Sequence, residues 1–358
     1  SIFVSLLTCS PGQEVYSLYG HTAIRIVDTE GGIDMVVNWG VFDSSKPNFV
    51  YHFIMGETDY MMAMVSTEGF LREYYYYGSE VIQQKLNMTQ QEKRNFLAIL
   101  DEYSKPENRI YRYNFYYDNC TTRARDVIVK AMEGKVEYQS WKSKPEDETF
   151  RDLIHSKNAD YPWCQWGNDF LLGVGSDAKM THAERQFIPE MLEADFDSAI
   201  VILPNGAKKP LVESTSILLP AGQSMAEPMA GFPLSPEACS VLFLILVIVF
   251  TMCEKFLIRK ELKWFDYIVF NLLGLLGLLL VVMMFSEHPT VKLNFQIFLF
   301  CPLWLVLYSP FVTLRRKRMI ALVIIEIFLF GNFFQSYAEG LNILALSLLI
   351  RIVKNPKK

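Results

Sequence analysis

From Pro236 onward the chain is built mostly of apolar stretches, and no soluble fold of ordinary composition absorbs them. Four are clear: Ala238–Met252, Trp264–Phe285, Leu293–Val312 and Met319–Phe334. A shorter fifth runs Leu341–Val353. A helix needs about 20 apolar residues to cross the bilayer core, with about 17 as a floor. The second and third stretches pass alone. The first passes if it continues through Phe256–Ile258, with Glu254 and Lys255 near the interface. The last two are short, and read as a tight helical hairpin or as a re-entrant pair. The expectation is an all-α membrane domain of about five helices, near 238–258, 264–285, 293–312, 319–334 and 338–353.

Loop charge supports five. Lys255, Arg259, Lys260 and Lys263 fill the first loop, and only Lys292 lies in the second. The third carries Arg315, Arg316, Lys317 and Arg318, the fourth none, and the tail Arg351, Lys354, Lys357 and Lys358. Rich and poor loops alternate, as expected when basic loops stay in the cytoplasm. The front half is therefore expected outside the membrane and the C-terminus in the cytoplasm. Ser1 fits a chain that begins after a removed signal peptide or at an engineered boundary. Glu326 falls mid-span, and reads either as a functional intramembrane carboxylate or as a helix-packing contact.

Charge separates the halves. From Pro236 there are 13 Lys/Arg against 7 Asp/Glu, and before it 21 against 32, so the front half is acidic by 11 charges. Nucleic acid needs a basic surface and is excluded as a partner. The front half reads as α+β. Ile2–Leu7, Thr22–Val27, Met35–Trp39 and Ile110–Tyr116 have strand patterns, and Asp28–Gly32 is a turn between the second and third. Thr89 with Glu92, and Thr181 with Glu184, are capping boxes that open helices to about Tyr103 and Ala194. Asp118-Asn119 caps a helix from Cys120 to about Met132. Lys208–Pro236 holds five prolines and reads as a linker. The expected domains are 1–207, a linker 208–236, and a membrane domain 237–358.

Cys120 stands where chemistry is favoured. At a helix N-terminus the backbone dipole stabilises a thiolate, the reactive form of cysteine. His21 begins a strand. Pairing Thr22–Val27 with Met35–Trp39 brings Asn38 opposite His21 or one residue off register, where an amide holds an imidazole in one tautomer. The competing reading makes Cys120 a small packing residue and His21 a turn histidine. His52, His155 and His182 lack ligand spacing, so no metal is assigned, and no phosphate-binding glycine loop is present. No cofactor is expected.

Four segments carry a family resemblance: Leu6-Leu7-Thr8-Cys9-Ser10-Pro11-Gly12, Tyr16-Ser17-Leu18-Tyr19-Gly20-His21-Thr22-Ala23-Ile24-Arg25, Asn38-Trp39-Gly40-Val41-Phe42-Asp43, and Tyr113-Asn114-Phe115-Tyr116-Tyr117-Asp118-Asn119-Cys120-Thr121-Thr122-Arg123. Together these resemble the Lnb family, bacterial lipoprotein N-acyltransferases whose extracytoplasmic catalytic domain is joined to membrane helices. The order His, polar residue, Cys also resembles the permuted papain-like fold of NlpC-type and lecithin–retinol acyltransferase-like enzymes. The resemblance implies a Cys120 nucleophile, a His21 base and a third residue at Asn38 or a neighbour such as Asp43.

It implies ping-pong acyl transfer through a Cys120 thioester to the α-amine of a lipoprotein's N-terminal cysteine. The donor would be the lipoprotein's own diacylglyceryl group or a membrane phospholipid. Oxyanion or substrate contacts would come from the Cys120 N–H, Asn119, Thr121 or Thr122. Arg123 would hold a phosphate or the protein chain, or pair with Asp126 or Asp118. Phe53–Met55, Met61–Met64 and Tyr74–Tyr77 are candidate acyl-groove segments. Three outer cysteines, Cys9, Cys120 and Cys164, leave Cys120 free if Cys9 pairs with Cys164. The rival functions are a cysteine peptidase or amidase acting on cell-wall peptide, and a non-enzymatic membrane sensor.

Overall fold

Period-two alternation of apolar and β-branched residues lets a strand bury one or both faces, and the described residues form ten strands, of which β1 and β2 are the most buried. The computed structural model describes residues 1–12, 17–45, 47–142, 147–227 and 230–354; Tyr16, Lys357 and Lys358 lie outside them. Two units are present: residues 1–148 with 179–229, and residues 149–178 with 230–358.

In the first unit, β1 (Ile2–Cys9), β2 (His21–Asp28), β3 (Ile33–Val41), β4 (Asp59–Ser66), β5 (Val81–Leu86) and β6 (Ile110–Arg112) form one antiparallel sheet with a later edge strand. A small sheet holds β7 (Lys135–Glu137), β8 (Ile200–Ile202) and β9 (Lys208–Pro210). The edge strand is β10 (Val212–Leu219), and the large sheet runs β10-β5-β1-β2-β3-β4-β6. The helices in chain order begin α1 (Phe49–Ile54), α2 (Thr67–Tyr77), α3 (Gln90–Ser104) and α4 (Cys120–Ala131). Next come α5 (Phe150–Asn158) and α6 (Pro162–Leu171) of the second unit, then α7 (His182–Arg185) and α8 (Pro189–Asp197) of the first.

Leu6, Ile24, Ile26, Val37 and Trp39 face one side of the sheet and pack on Phe96 and Leu100 of α3, Val127 and Ile128 of α4, and Leu192 and Phe196 of α8. Each such fully buried side chain contributes roughly 1.5–3 kcal/mol over exposure. Leu7, Cys9, Ala23 and Val36 face the other side, against Phe70 of α2. The site described below lies where β2 and β3 meet the start of α4.

Several expectations from sequence are corrected. Ile110–Tyr116 is a strand only to Arg112, because the Asn114 side chain accepts the N–H groups of Tyr116 and Tyr117 and turns the chain. The helix capped by Thr181 stops at Arg185, and Pro189 starts a second one: proline removes a helical N–H and disfavours helix at the residue before it. The expected linker is partly a strand. Val212–Leu219 is rich in β-branched residues and pairs with β5 as the sheet edge. Residues 149–178, within the expected outer domain, cluster with the helical unit.

In the second unit, α9 (Pro236–Met252) continues through a π-helical turn, Cys253–Ile258, and α10 spans Lys263–Met283. These two are long and apolar enough to cross a membrane. Leu293–Val312, expected as a spanning helix, is broken. It contains a 3-10 turn at Phe295–Phe298 and α11 (Trp304–Leu307), and Pro302 and Pro310 cannot donate to a continuous ladder. Then come α12 (Leu314–Gly331) and α13 (Leu341–Val353). Glu326 stands on the exposed face of α12, while Ile324, Ile325 and Phe328 pack inward.

Two buried polar networks organise this unit. Arg351 donates to Glu254 at 2.7 Å and Asp266 at 2.6 Å, joining α9, α10 and α13. Arg151 of α5 bonds Asp169 at 2.7 Å and Asp177 at 2.9 Å. Gln296 and Asn294 donate to the carbonyls of Asp169 and Phe170, which fixes α6 on the broken segment. Buried charges persist only where paired in this way.

Candidate active site

Backbone conformation sets the first residue. Gly20 has φ +77°, and a Cβ there would meet the Cys9 carbonyl at 2.7 Å, so glycine is required for the tight entry into β2. His21 follows, paired across the ladder with Cys9 of β1. The β2–β3 register pairs Ile24 with Val37. Continued outward, it sets position 40 opposite His21 and Asn38 on the diagonal, within reach across an antiparallel pair. This is two residues from the facing position inferred from sequence. Gly40 explains how the contact still forms. A Cβ at Gly40 would meet His21 Cε1 at 2.9 Å, so its absence opens the room the imidazole occupies.

His21 Nε2 lies 2.8 Å from Asn38 Oδ1, which also accepts the Gly40 N–H at 2.9 Å. A carbonyl oxygen only accepts, so Nε2 carries the hydrogen and Nδ1 is left for the sulfur of Cys120. Asp43, the other candidate for the third position, instead accepts from Ser45 N and Oγ.

Cys120 opens α4, which packs on β2 and β3. Asn119 caps that helix, accepting the N–H groups of Thr121 and Thr122 at 3.0 Å each. Its amide hydrogens go to the carbonyls of Phe115 and Phe187. Every polar atom of Asn119 is thus committed, which corrects its expected oxyanion role: it is a cap that positions Cys120. Thr121 is fully buried, its N–H is taken by Asn119, and its hydroxyl accepts from Thr22 at 3.1 Å and lies 3.8 Å from the Cys120 sulfur. The Thr122 hydroxyl bonds the Asn119 backbone. The Cys120 N–H has no acceptor among the described residues.

Of the alternatives open for Arg123, the structure shows the pair with Asp118. Arg123 forms a two-pronged pair with Asp118 at 2.6 and 2.7 Å and stacks on Tyr111, 3.9 Å from the ring centroid, and it does not line the cavity. Asp126 pairs with Arg125 instead.

The electrostatics separate the two cysteines near the site. Burial pushes the Cys120 thiol up, but the adjacent His21 charge and hydrogen bond, the Thr22 N–H and the Thr121 hydroxyl outweigh it, lowering its pKa from 9.0 to about 7. Burial disfavours the His21 imidazolium, yet the Cys120 sulfur, Asn38 and Glu73 raise its pKa above the ordinary value. The pair therefore favours thiolate and imidazolium. Cys9 is buried in the sheet and burial pushes its thiol well up, which leaves it unreactive. All six cysteines are free, so the expected Cys9–Cys164 disulfide is absent.

A cavity of about 420 Å³ opens over Cys120. His21, Asn38 and Gly40 form part of its wall, with Phe42, Tyr60, Tyr113, Phe115 and Phe187 on one side and Glu73, Tyr74 and Tyr77 of α2 on another. Of the segments named as groove candidates, Tyr74 and Tyr77 reach it. Met61–Met64 lies in β4, with Met62 in the core. Gly40, Glu73 and Phe187 were not singled out from sequence. Gly40 sits inside a quoted motif, whereas Glu73 and Phe187 carried no signal.

Replacing Asn38 with alanine is expected to lower turnover about 10- to 100-fold, because the imidazole keeps its place but loses its fixed tautomer and water takes part of the amide's role. Steady-state rates beside a thermal melt check this, with the melt little changed.

Two family models match the chain: the Lnb N-terminal periplasmic domain over residues 1–155 and the Lnb transmembrane domain over residues 227–357. No curated protein and no solved structure matches. The periplasmic-domain match precedes the membrane-domain match in the chain, which makes this a membrane protein with an extracytoplasmic N-terminal domain. The two matches cover most of the chain, and the protein belongs to the Lnb family.

Proposed function

We propose that the protein is a lipoprotein N-acyltransferase working through a Cys120 thioester, with a permuted papain-like catalytic domain. The observation that carries this is the chain of contacts from Asn38 to His21 to Cys120 at a helix N-terminus, floored in a cavity. The order His on β2, Asn on β3 and Cys opening a helix packed on both strands supports the fold reading. The alternation of basic and poor loops supports a cytoplasmic C-terminus, and the family supports a bacterial inner membrane.

The Cys120 thiolate attacks an ester carbonyl of the lipid donor. The oxyanion takes the Cys120 N–H, the free donor at the α4 N-terminus. As the C–O bond breaks, imidazolium His21 protonates the leaving alkoxide, and an acyl thioester remains. The lipoprotein α-amine then attacks the thioester. His21, now neutral, takes the surplus proton, the C–S bond breaks, and an amide and the thiolate–imidazolium pair result. A covalent intermediate divides one difficult acyl transfer into two easier ones.

A specific feature supports lipid over cell-wall peptide. Aromatic rings step outward from the cavity: Tyr113 to Tyr60 at 4.1 Å, Tyr60 to Phe42 at 5.0 Å, Phe42 to Phe49 at 5.9 Å, and Phe49 to Phe53 at 6.0 Å. They end on α1, which has no buried residue and leaves Val50 69% and Tyr51 57% exposed. An apolar track between a reactive thiolate and an exposed aromatic helix suits an acyl chain far better than a polar peptide.

The test uses the full-length protein with a synthetic diacylated lipopeptide. Mass spectrometry is expected to show one acyl chain moved from ester to amide, leaving a lyso, N-acylated product. Cleavage of a cell-wall peptide with no acyl movement would favour the amidase reading.

A further inference from the structure

We infer that Glu73 is the residue that recognises the α-ammonium of the acceptor, an assignment that rests on the acyltransferase reading above. Glu73, Tyr74 and Tyr77 occupy one face of α2, and all three line the Cys120 cavity. Helix α2 is fixed at both ends: Ser66 caps it by accepting the Gly69 N–H, and Gly78 ends it in the left-handed conformation. Tyr74 packs on Phe70, ring centroids 4.8 Å apart, against the sheet face that holds Cys9, which fixes this part of the helix. Glu73 is therefore presented from a rigid element.

Its chemistry is distinctive. Among the described residues lining the cavity there is no lysine or arginine, and Glu73 is the one carboxylate. Its neighbour Arg72 is spent on Glu68 at 2.8 Å, and Glu73 has no hydrogen bond or ion pair of its own among the described residues. Its charge is felt at His21, which places it in the same electrostatic field as the reacting pair. Apart from the His21–Cys120 pair itself, the described lining carries one carboxylate and no lysine or arginine, which is mismatched to a phosphodiester headgroup. It matches an ammonium group, and an α-amine, with an ordinary pKa near 7.7–8.0, is largely ammonium at neutral pH.

The role is capture and orientation. Glu73 holds the ammonium beside the thioester. The ammonium gives one proton to solvent, leaving the free amine to attack. Neutral His21 takes the second N–H proton from the tetrahedral adduct as the C–S bond breaks, which restores the ion pair with the departing thiolate.

The experiment loads Cys120 of the full-length protein from p-nitrophenyl palmitate, a donor with neither amine nor phosphate. It then follows discharge of the thioester by a peptide with a free, S-alkylated N-terminal cysteine, and separately by hydroxylamine, which is neutral at neutral pH. In Glu73→Gln the peptide concentration giving half-maximal discharge is expected to rise about 5- to 20-fold, as for loss of a charged hydrogen bond in a partly exposed cleft. The maximal rate should change little. Hydroxylamine should discharge the variant as fast as the wild type, a result that a merely structural defect would not give. Glu73→Asp should recover part of the loss and Glu73→Lys should deepen it. Unchanged half-saturation by the peptide, or a parallel fall with hydroxylamine, would overturn the assignment. A wild-type protein that never loads acyl overturns the acyltransferase reading beneath it, and Glu73's role with it.

Discussion

Cys120→Ala is expected to abolish acyl transfer, by about a thousandfold or more, because among the described residues lining the cavity Cys120 is the one thiol and the one nucleophile paired with His21. Cys9 is the other thiol near the site, and burial holds it protonated in the sheet core. The fold should survive the substitution. Cys120 is only half-buried, and the N-cap of α4 belongs to Asn119, whose bonds do not involve the sulfur. The substitution also has a signature apart from activity. The Cys120 sulfur is the largest influence holding the His21 pKa up, against burial that pushes it down. Removing the sulfur leaves burial to dominate, so His21 should titrate at lower pH than in the wild type. NMR titration of the imidazole in both proteins checks this, and an unchanged His21 titration would contradict the ion pair.

His21→Ala should be nearly as damaging, and pH shows why. In the wild type Cys120 titrates at about 7, so a large share is thiolate at neutral pH. Without His21, the principal opponents of burial are gone, and the thiol should titrate above its ordinary 9.0. Thiolate at neutral pH then falls about a hundredfold, and loss of the acid for the leaving alkoxide costs about a further 10²–10⁴. The expected sign on each limb follows from the two shifts. Activity falls as pH drops through about 7, where the thiolate is protonated, and falls again as pH rises through the raised pKa of His21, where the imidazolium is lost. The two groups share their protons, so these limbs belong to the pair. Iodoacetamide alkylation of Cys120 against pH is the measurement: a midpoint near 7 in the wild type, moved well to the alkaline side in His21→Ala. Coincident midpoints would show that His21 does not activate the thiol.

Much of the site was legible in the chain because its parts are local. Asn119 before Cys120 announces a helix start, and Gly20 before His21 announces a turn into a strand. The Thr89 box with Glu92 is formed as read, since capping needs only four consecutive residues. What stayed open or failed depended on partners that only the fold brings together. Arg123 could not be assigned until Asp118 and the Tyr111 ring were seen beside it. Asn119 was read as a possible oxyanion donor because its amide acceptors, Phe115 and Phe187, include one 68 residues away. The edge strand Val212–Leu219 was hidden among prolines, and only pairing with β5 gives it a sheet to join. Glu73 is one charged residue on an exposed helix face by pattern, and gains meaning only from the cavity it lines.

The most direct test of the central claim is the intact mass of the full-length protein after incubation with lipid donor, with and without hydroxylamine, beside Cys120→Ala. A fatty-acyl increment on the wild type, removed by hydroxylamine and absent from the variant, is the expected result. An increment that survives hydroxylamine, or that appears equally on Cys120→Ala, would contradict a thioester at Cys120.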